Sequence, residues 1–224
     1  MNILLLSATG AEIMPLTEHL TAGGREQAQN SFKKDDHSIT IFVTGVGMVA
    51  TTYALTKIVQ QQKFDLILQA GIAGSFIKDL ALGEVVLVEQ EMFGDLGAED
   101  RYNFIDSFEL GLADENEFPF QQKKLVAHTH PLFDKFPLRK VSSLSVNTVS
   151  GSSFTATARY EKFHADIENM EGAAFHYVCL QEKIPFVQIR SISNYVETRD
   201  KSKWKISKAI TNLNALLIKF FQEL

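Results

Sequence analysis

The pair Met170-Glu171 reads as the end of a buried strand and precedes the small residues Gly172-Ala173-Ala174. Further on, Arg190-Ser191-Ile192-Ser193 runs into Asn194. An ionised Glu accepts hydrogen bonds from several donors at once, so it can hold the two hydroxyls of a ribose. A Met can lie against the sugar face. An Asn donates and accepts side by side, so its amide can grip the edge of an oxopurine. These residue types together describe a nucleoside site.

Such side chains need strand ends that lie next to one another. Short runs rich in Ile, Val and Leu alternate here with helical patterns. The spacing predicts strands over Asn2–Ser7, Ser38–Thr44, Asp65–Ala70, Glu84–Val88, Lys140–Val146 and Phe186–Ile192. Each is apolar at nearly every position, as in a sheet covered on both faces. Helices are predicted over Ala11–Thr21, Val49–Gln62, Gln121–Leu132, Ala156–Phe163, Glu171–Lys183 and Ser202–Leu224. The alternation predicts an α/β fold with ligand chemistry at the carboxyl ends of strands. No repeat or linker divides it, so residues 1–224 are expected to form one domain. The long acidic and aromatic segment Gly94–Phe120 is expected to be a functional loop or a subunit contact.

Composition narrows the partners. The 224 residues are 45% hydrophobic and carry a net charge of -5, which makes no electrostatic case for nucleic acid or an anionic membrane. The apolar start at Met1–Leu6 lacks a basic flank and is too short for a signal peptide or a membrane span, so a cytoplasmic protein is expected. Cys179 stands alone in an apolar run and is expected to be a small buried hydrophobe.

Gly45-Val46-Gly47-Met48-Val49-Ala50 matches a dinucleotide fingerprint, follows a strand and opens a helix. The acidic residue that would hold a ribose is Asp65, which stands at the start of its strand instead of at its end. A tight turn and close helix packing account for these glycines better than a nicotinamide cofactor does.

Four more segments extend the pattern. They are Ser7-Ala8-Thr9-Gly10-Ala11-Glu12, Gln69-Ala70-Gly71-Ile72-Ala73-Gly74, Val149-Ser150-Gly151-Ser152-Ser153-Phe154-Thr155, and the tail from Tyr195 to Trp204. Over nearly its whole length the chain resembles the nucleoside phosphorylase and nucleosidase superfamily. The resemblance implies a three-layer α/β/α sandwich with a central mixed sheet. It implies that Glu12 activates water, that Phe154 stacks on the base, and that Met170 and Glu171 hold the ribose. It places Ile72 among the substrate contacts and Asn194 at the leaving base. Phosphorylases of this superfamily carry arginines near the positions of Glu12 and Gln69 and a hydroxyl at that of Ile72. Their absence here argues for hydrolysis, because a compact anion needs charged or N–H donors.

Asn194 stands where relatives that cleave aminopurines carry Asp. That substitution, Gly83-Glu84, the segment Phe93–Asp100 and the tail all resemble the futalosine hydrolase branch. The branch implies cleavage of futalosine to hypoxanthine and dehypoxanthinylfutalosine, a step toward menaquinone. Arg199, or else Arg101, is the candidate partner for the aryl carboxylate. The alternatives are a nucleosidase for methylthioadenosine, S-adenosylhomocysteine or aminofutalosine, a purine nucleoside phosphorylase, and a non-catalytic binder. The resemblance implies a small nucleoside substrate, a homo-oligomer (dimer or larger), no cofactor and no metal. Asp95, Glu99 and Asp100 are expected to structure their loop, and His128-Thr129-His130 lacks a third ligand at metal spacing.

Overall fold

Ile3 and Leu5 leave one face of strand β1 (Asn2–Ser7), and Leu4 and Leu6 leave the other. The two pairs enter different cores, so both faces of the sheet are covered. In the computed structural model, which describes all residues except 24, 25, 29 and 129 and only the backbone of 26–28, the first core holds helices α1 (Gly10–Ala22) and α5 (Ile206–Gln222). Ile13, Leu16 and Leu20 of α1 meet Leu213, Leu217 and Phe220 of α5 there. The second core takes Leu55 and Val59 of α2 (Met48–Gln61) with Phe175, Val178 and Cys179 of α4 (Gly172–Gln181). Full burial of a Leu, Ile or Phe side chain contributes about 1.5–3 kcal/mol, so these two layers fix how the helices sit on the sheet. Cys179 packs as the small hydrophobe expected.

After β1 the chain forms β2 (Glu26–Ala28), β3 (Ser31–Lys34) and β4 (His37–Val43), then β5 (Leu66–Ser75) and β6 (Val85–Phe93). A hairpin of β7 (Gly97–Asp100) and β8 (Asn103–Asp106) follows, then β9 (Leu125–Val126) and β10 (Arg139–Ser145). Helix α3 (Ser153–Phe163), β11 (Ile167–Asn169) and β12 (Phe186–Tyr195) complete the order. The main sheet runs β11-β10-β6-β12-β5-β1-β4-β3-β2. It is mixed: β12, β5, β1 and β4 are parallel, while β6 runs antiparallel to β12. The expected three-layer architecture around a mixed sheet is therefore borne out.

One half of the sheet also curls shut. Strand β11 pairs with β10 on one side and with β5 on the other, where Glu168 faces Gly74. Ala73, Val86, Val88, Val141, Ile167 and Ile192 come from the five strands β5, β6, β10, β11 and β12, and they fill the enclosed space. This closure binds the carboxyl ends of β5 and β12 to the segment that leads into α4.

The predicted helix over Gln121–Leu132 is not present. Gln122 and Lys123 adopt positive φ in a tight turn, and Leu125–Val126 join β6 as a strand opposite Glu91 and Gln90. Sheet pairing overrode the helical pattern, and Thr129 lies outside the described residues. The C-terminal helix starts at Ile206, because Asp200 first caps a 3-10 turn over Lys201–Lys203. Within Gly94–Phe120, part of the expected loop is the β7–β8 hairpin.

Candidate active site

Parallel pairing brings the carboxyl ends of β1, β5 and β12 side by side. Past the end of β1, Thr9 caps α1 and places Glu12 in the first helical turn. Glu12 is buried and held from four directions. Its Oε2 accepts from Thr9 N at 3.0 Å, with Thr9 Oγ1 at 2.9 Å and Ser7 Oγ at 3.1 Å. Its Oε1 accepts from Ile72 N at 3.0 Å. The carboxylate thus bridges the end of β1 to β5.

Glu171 lies at the junction of β11 and α4 and is also buried. Gly47 donates its N–H to Glu171 Oε1 at 3.1 Å. The glycine turn Gly45-Val46-Gly47 therefore has a use that is not dinucleotide binding. Its positive φ at Gly45 and Gly47 turns the start of α2 so that a backbone N–H reaches this carboxylate.

Arg190 pairs with Glu171 and reaches the carbonyl of Ile72, the residue whose N–H is bonded to Glu12. It is 2% exposed on β12, in register with Gly71 of β5. Its Nη1 donates to Glu171 Oε2 at 3.3 Å and to the Ile72 carbonyl at 3.4 Å. Its Nη2 donates to Gln69 Oε1 at 3.1 Å and Asn169 Oδ1 at 3.2 Å. A Cβ on Gly71 would stand 2.5 Å from Arg190 Nη1 and 3.0 Å from Glu12 Oε1. Gly71 is thus the gap that the Arg190 guanidinium and the Glu12 carboxylate both border.

Beyond Arg190, Asn194 pairs with Gly74 across a bulge in β12. Its Oδ1 accepts from Ser193 Oγ at 2.7 Å, and its Nδ2 donates to the Tyr195 carbonyl at 3.1 Å. Those bonds fix the amide and leave one N–H and one lone pair free for a ligand edge. A Cβ on Gly74 would lie 2.9 Å from Val196 Cγ2 and 3.1 Å from Asn194 Nδ2, so a side chain there would press on both.

A search of family patterns matches residues 2–222 to the phosphorylase superfamily. The chain belongs to that superfamily. A futalosine hydrolase of Thermus thermophilus is 31% identical over 76% of this chain and 75% of its own length. A 5'-methylthioadenosine/S-adenosylhomocysteine nucleosidase of Colwellia psychrerythraea is 28% identical over 85% of this chain and 82% of its own. The solved futalosine hydrolase of Helicobacter pylori superposes with a TM-score of 0.80, covering 100% of this chain and 98% of that one at 19% identity. These relatives bear out the expected enzyme class, an N-glycosyl hydrolase.

Within this phosphorylase-superfamily fold, the structure brings together Glu12, Ile72 and Glu171 of the residues singled out in the sequence. Met170 is half-buried beside Glu171, and Asn194 follows Arg190 on the same strand. Phe154 and Arg199 are not in this cluster. Phe154 is 67% exposed on the first turn of α3 and borders a groove of about 570 Å³ with Tyr102, Phe104 and Arg159. Arg199 is exposed and stacks 5.5 Å from the Trp204 ring. Its backbone N–H donates to the Gly151 carbonyl, which ties the tail to the loop before α3. Asp95 holds Asn147 through two bonds, which fits loop structuring. Among the described residues no group of three His, Cys, Asp or Glu could hold a metal ion, and no helix is long and apolar enough to cross a membrane.

Sequence reasoning assigned no role to Arg190, Asn169 or Glu91. For Arg190 the available signal was a charge inside an otherwise apolar strand run, which is costly unless paired; Glu91 and Asn169 lie in the polar stretches Glu89-Gln90-Glu91 and Glu168-Asn169, which carry no such signal.

Proposed function

We propose that this chain hydrolyses the N-glycosidic bond of futalosine, releasing hypoxanthine and dehypoxanthinylfutalosine. The observation that carries the proposal is the placement of two buried carboxylates, Glu12 and Glu171, linked through Ile72 and Arg190. Glu12 takes the proton of an attacking water as the C1′–N9 bond breaks, and the departing hypoxanthine takes a proton at N7 from solvent water. Glu171 accepts from the ribose hydroxyls and stabilises positive charge as the sugar becomes oxocarbenium-like. Met170 lies against the sugar, and Ile72 contributes to the wall of the pocket.

Hydrolysis is favoured over phosphorolysis by how Arg190 is engaged. Its guanidinium is bonded to Glu171, Gln69, Asn169 and a carbonyl. Gln69, at the position where phosphorylases carry an arginine, is itself an acceptor for it. An oxopurine is favoured by Asn194, whose free N–H suits a 6-oxo group and whose carbonyl suits a protonated N7. A 6-amino group would set donor against donor. Phe154 stacking on the base and Arg199 meeting the aryl carboxylate are further parts of this proposal, as is the assembly of the chain, acting as one catalytic domain, into a cytoplasmic homo-oligomer on a route to menaquinone. The names of the Thermus and Helicobacter relatives support the same substrate.

The test is chromatography of products from futalosine with and without phosphate. Free hypoxanthine with an unphosphorylated sugar at equal rates in both supports the proposal. A sugar 1-phosphate formed only with phosphate would make the chain a phosphorylase.

A further inference from the structure

Behind the two site carboxylates lies a third buried acid. Glu91 of β6 is 0% exposed. Its Oε1 accepts from Asn169 Nδ2 at 2.7 Å and Gln188 Nε2 at 2.9 Å, and its Oε2 accepts from Ser145 Oγ at 2.9 Å. Asn169 Nδ2 also donates to Ser143 Oγ at 2.7 Å. With both amide hydrogens used on that side, Asn169 Oδ1 must face the other way.

There Oδ1 accepts from Arg190 Nη2 at 3.2 Å, from Glu171 N at 2.8 Å and from Gly172 N at 2.6 Å. One oxygen thus holds the guanidinium, the backbone of Glu171 and the start of α4. The fit is tight, because a Cβ on Gly172 would lie 1.8 Å from Glu91 Oε1. Burial pushes the Glu91 carboxyl above its usual range, while bonds from Gln188, Ser145 and Asn169 and the charge of Arg190 pull it back.

We propose that Glu91 is a positioning residue: by fixing which way the Asn169 amide faces, it holds Arg190 and Glu171 in the geometry that meets the sugar. The proposal rests on Glu171 being the ribose acceptor. A purely structural role for Glu91 would be met by any side chain that fills the same space.

Glu91→Leu keeps the volume and removes the acceptor, whereas Glu91→Gln keeps an oxygen for Asn169 and Gln188. Turnover is read on whichever of futalosine and methylthioadenosine the wild-type protein cleaves, so a wrong substrate assignment leaves the comparison intact. Glu91→Gln is expected to keep near wild-type kcat. Glu91→Leu is expected to lose about a hundredfold in kcat, as misplaced catalytic groups do, with the Kd of free hypoxanthine unchanged. Equal kcat in all three proteins, or Glu91→Gln as impaired as Glu91→Leu, would overturn the proposal. A second readout needs neither turnover nor the Leu variant. The Arg190 guanidinium, assigned by its loss in Arg190→Lys, should show restricted rotation and separate Nη signals in the nitrogen-15 spectrum of the wild-type protein. A freely rotating guanidinium there would equally overturn it.

Discussion

Arg190 Nη1 lies 3.3 Å from Glu171 Oε2, with both side chains almost fully removed from water. The pair is useful because of what it leaves open. In the proposed mechanism the pair keeps the Glu171 carboxylate ordered for a sugar, while Arg190 borders the gap at Gly71. Breaking a buried pair by removing one partner strands the other charge, at about 3–5 kcal/mol. Arg190→Met is therefore expected to lower unfolding free energy by that amount in urea titrations. A loss below about 1 kcal/mol, the scale of an exposed pair, would contradict the pairing.

Glu12 is expected to act on the chemical step. Glu12→Gln keeps the shape and the bond from Ile72 but not the base. Turnover should fall by about a hundred- to ten-thousandfold with KM little changed. Steady-state kinetics on the cleaved nucleoside check this, and wild-type kcat would remove Glu12 from the mechanism.

Asn194 is expected to choose the base. Asn194→Asp supplies an acid that can protonate N7 and an acceptor for a 6-amino group. The ratio of kcat/KM for aminofutalosine to that for futalosine should rise by about tenfold or more, the cost of one mismatched buried donor. An unchanged ratio would refute the recognition argument.

Acid sensitivity should come partly from His176. Its ring is pushed down to about 4 by burial, with Nδ1 lying 3.1 Å from the Leu125 carbonyl. The unfolded chain titrates near about 6.5, so it binds the proton first as pH falls. The stability from keeping this ring neutral is complete above about pH 6.5 and is lost as pH falls to about 4. Between pH 7 and 5 this amounts to about 2 kcal/mol. His176→Leu should be less sensitive over that interval in urea titrations, and an identical loss would exclude His176 as a cause.

The carboxyl-end strands were legible because their apolar runs are short and uninterrupted. Phe186–Ile192 was recognisable as a strand that delivers Asn194, and Met170-Glu171 as a strand-to-helix junction. The closure of the sheet through β11 was not legible. Ile167–Asn169 spans three residues, and its pairing with Gly74 on β5 is a long-range contact with no local signature. Leu125–Val126 read as helix for the same reason: its partner, β6, is distant in sequence. Arg190 and Asn169 were visible as residues but not as a pair. Their meeting depends on the β12–β5 register and on Gly71 leaving room, neither of which spacing along one strand reveals. Phe154 illustrates the opposite case. The family resemblance of its segment implied a base stack, but neither the resemblance nor residue type placed it in the exposed groove beside the β7–β8 hairpin.

Hydrolysis of an oxopurine nucleoside is tested most directly by comparing kcat/KM of the purified protein for futalosine and aminofutalosine without phosphate. Hypoxanthine release is expected, with futalosine preferred by about tenfold or more. Faster adenine release from aminofutalosine, or no release of either base until phosphate is added, would contradict it.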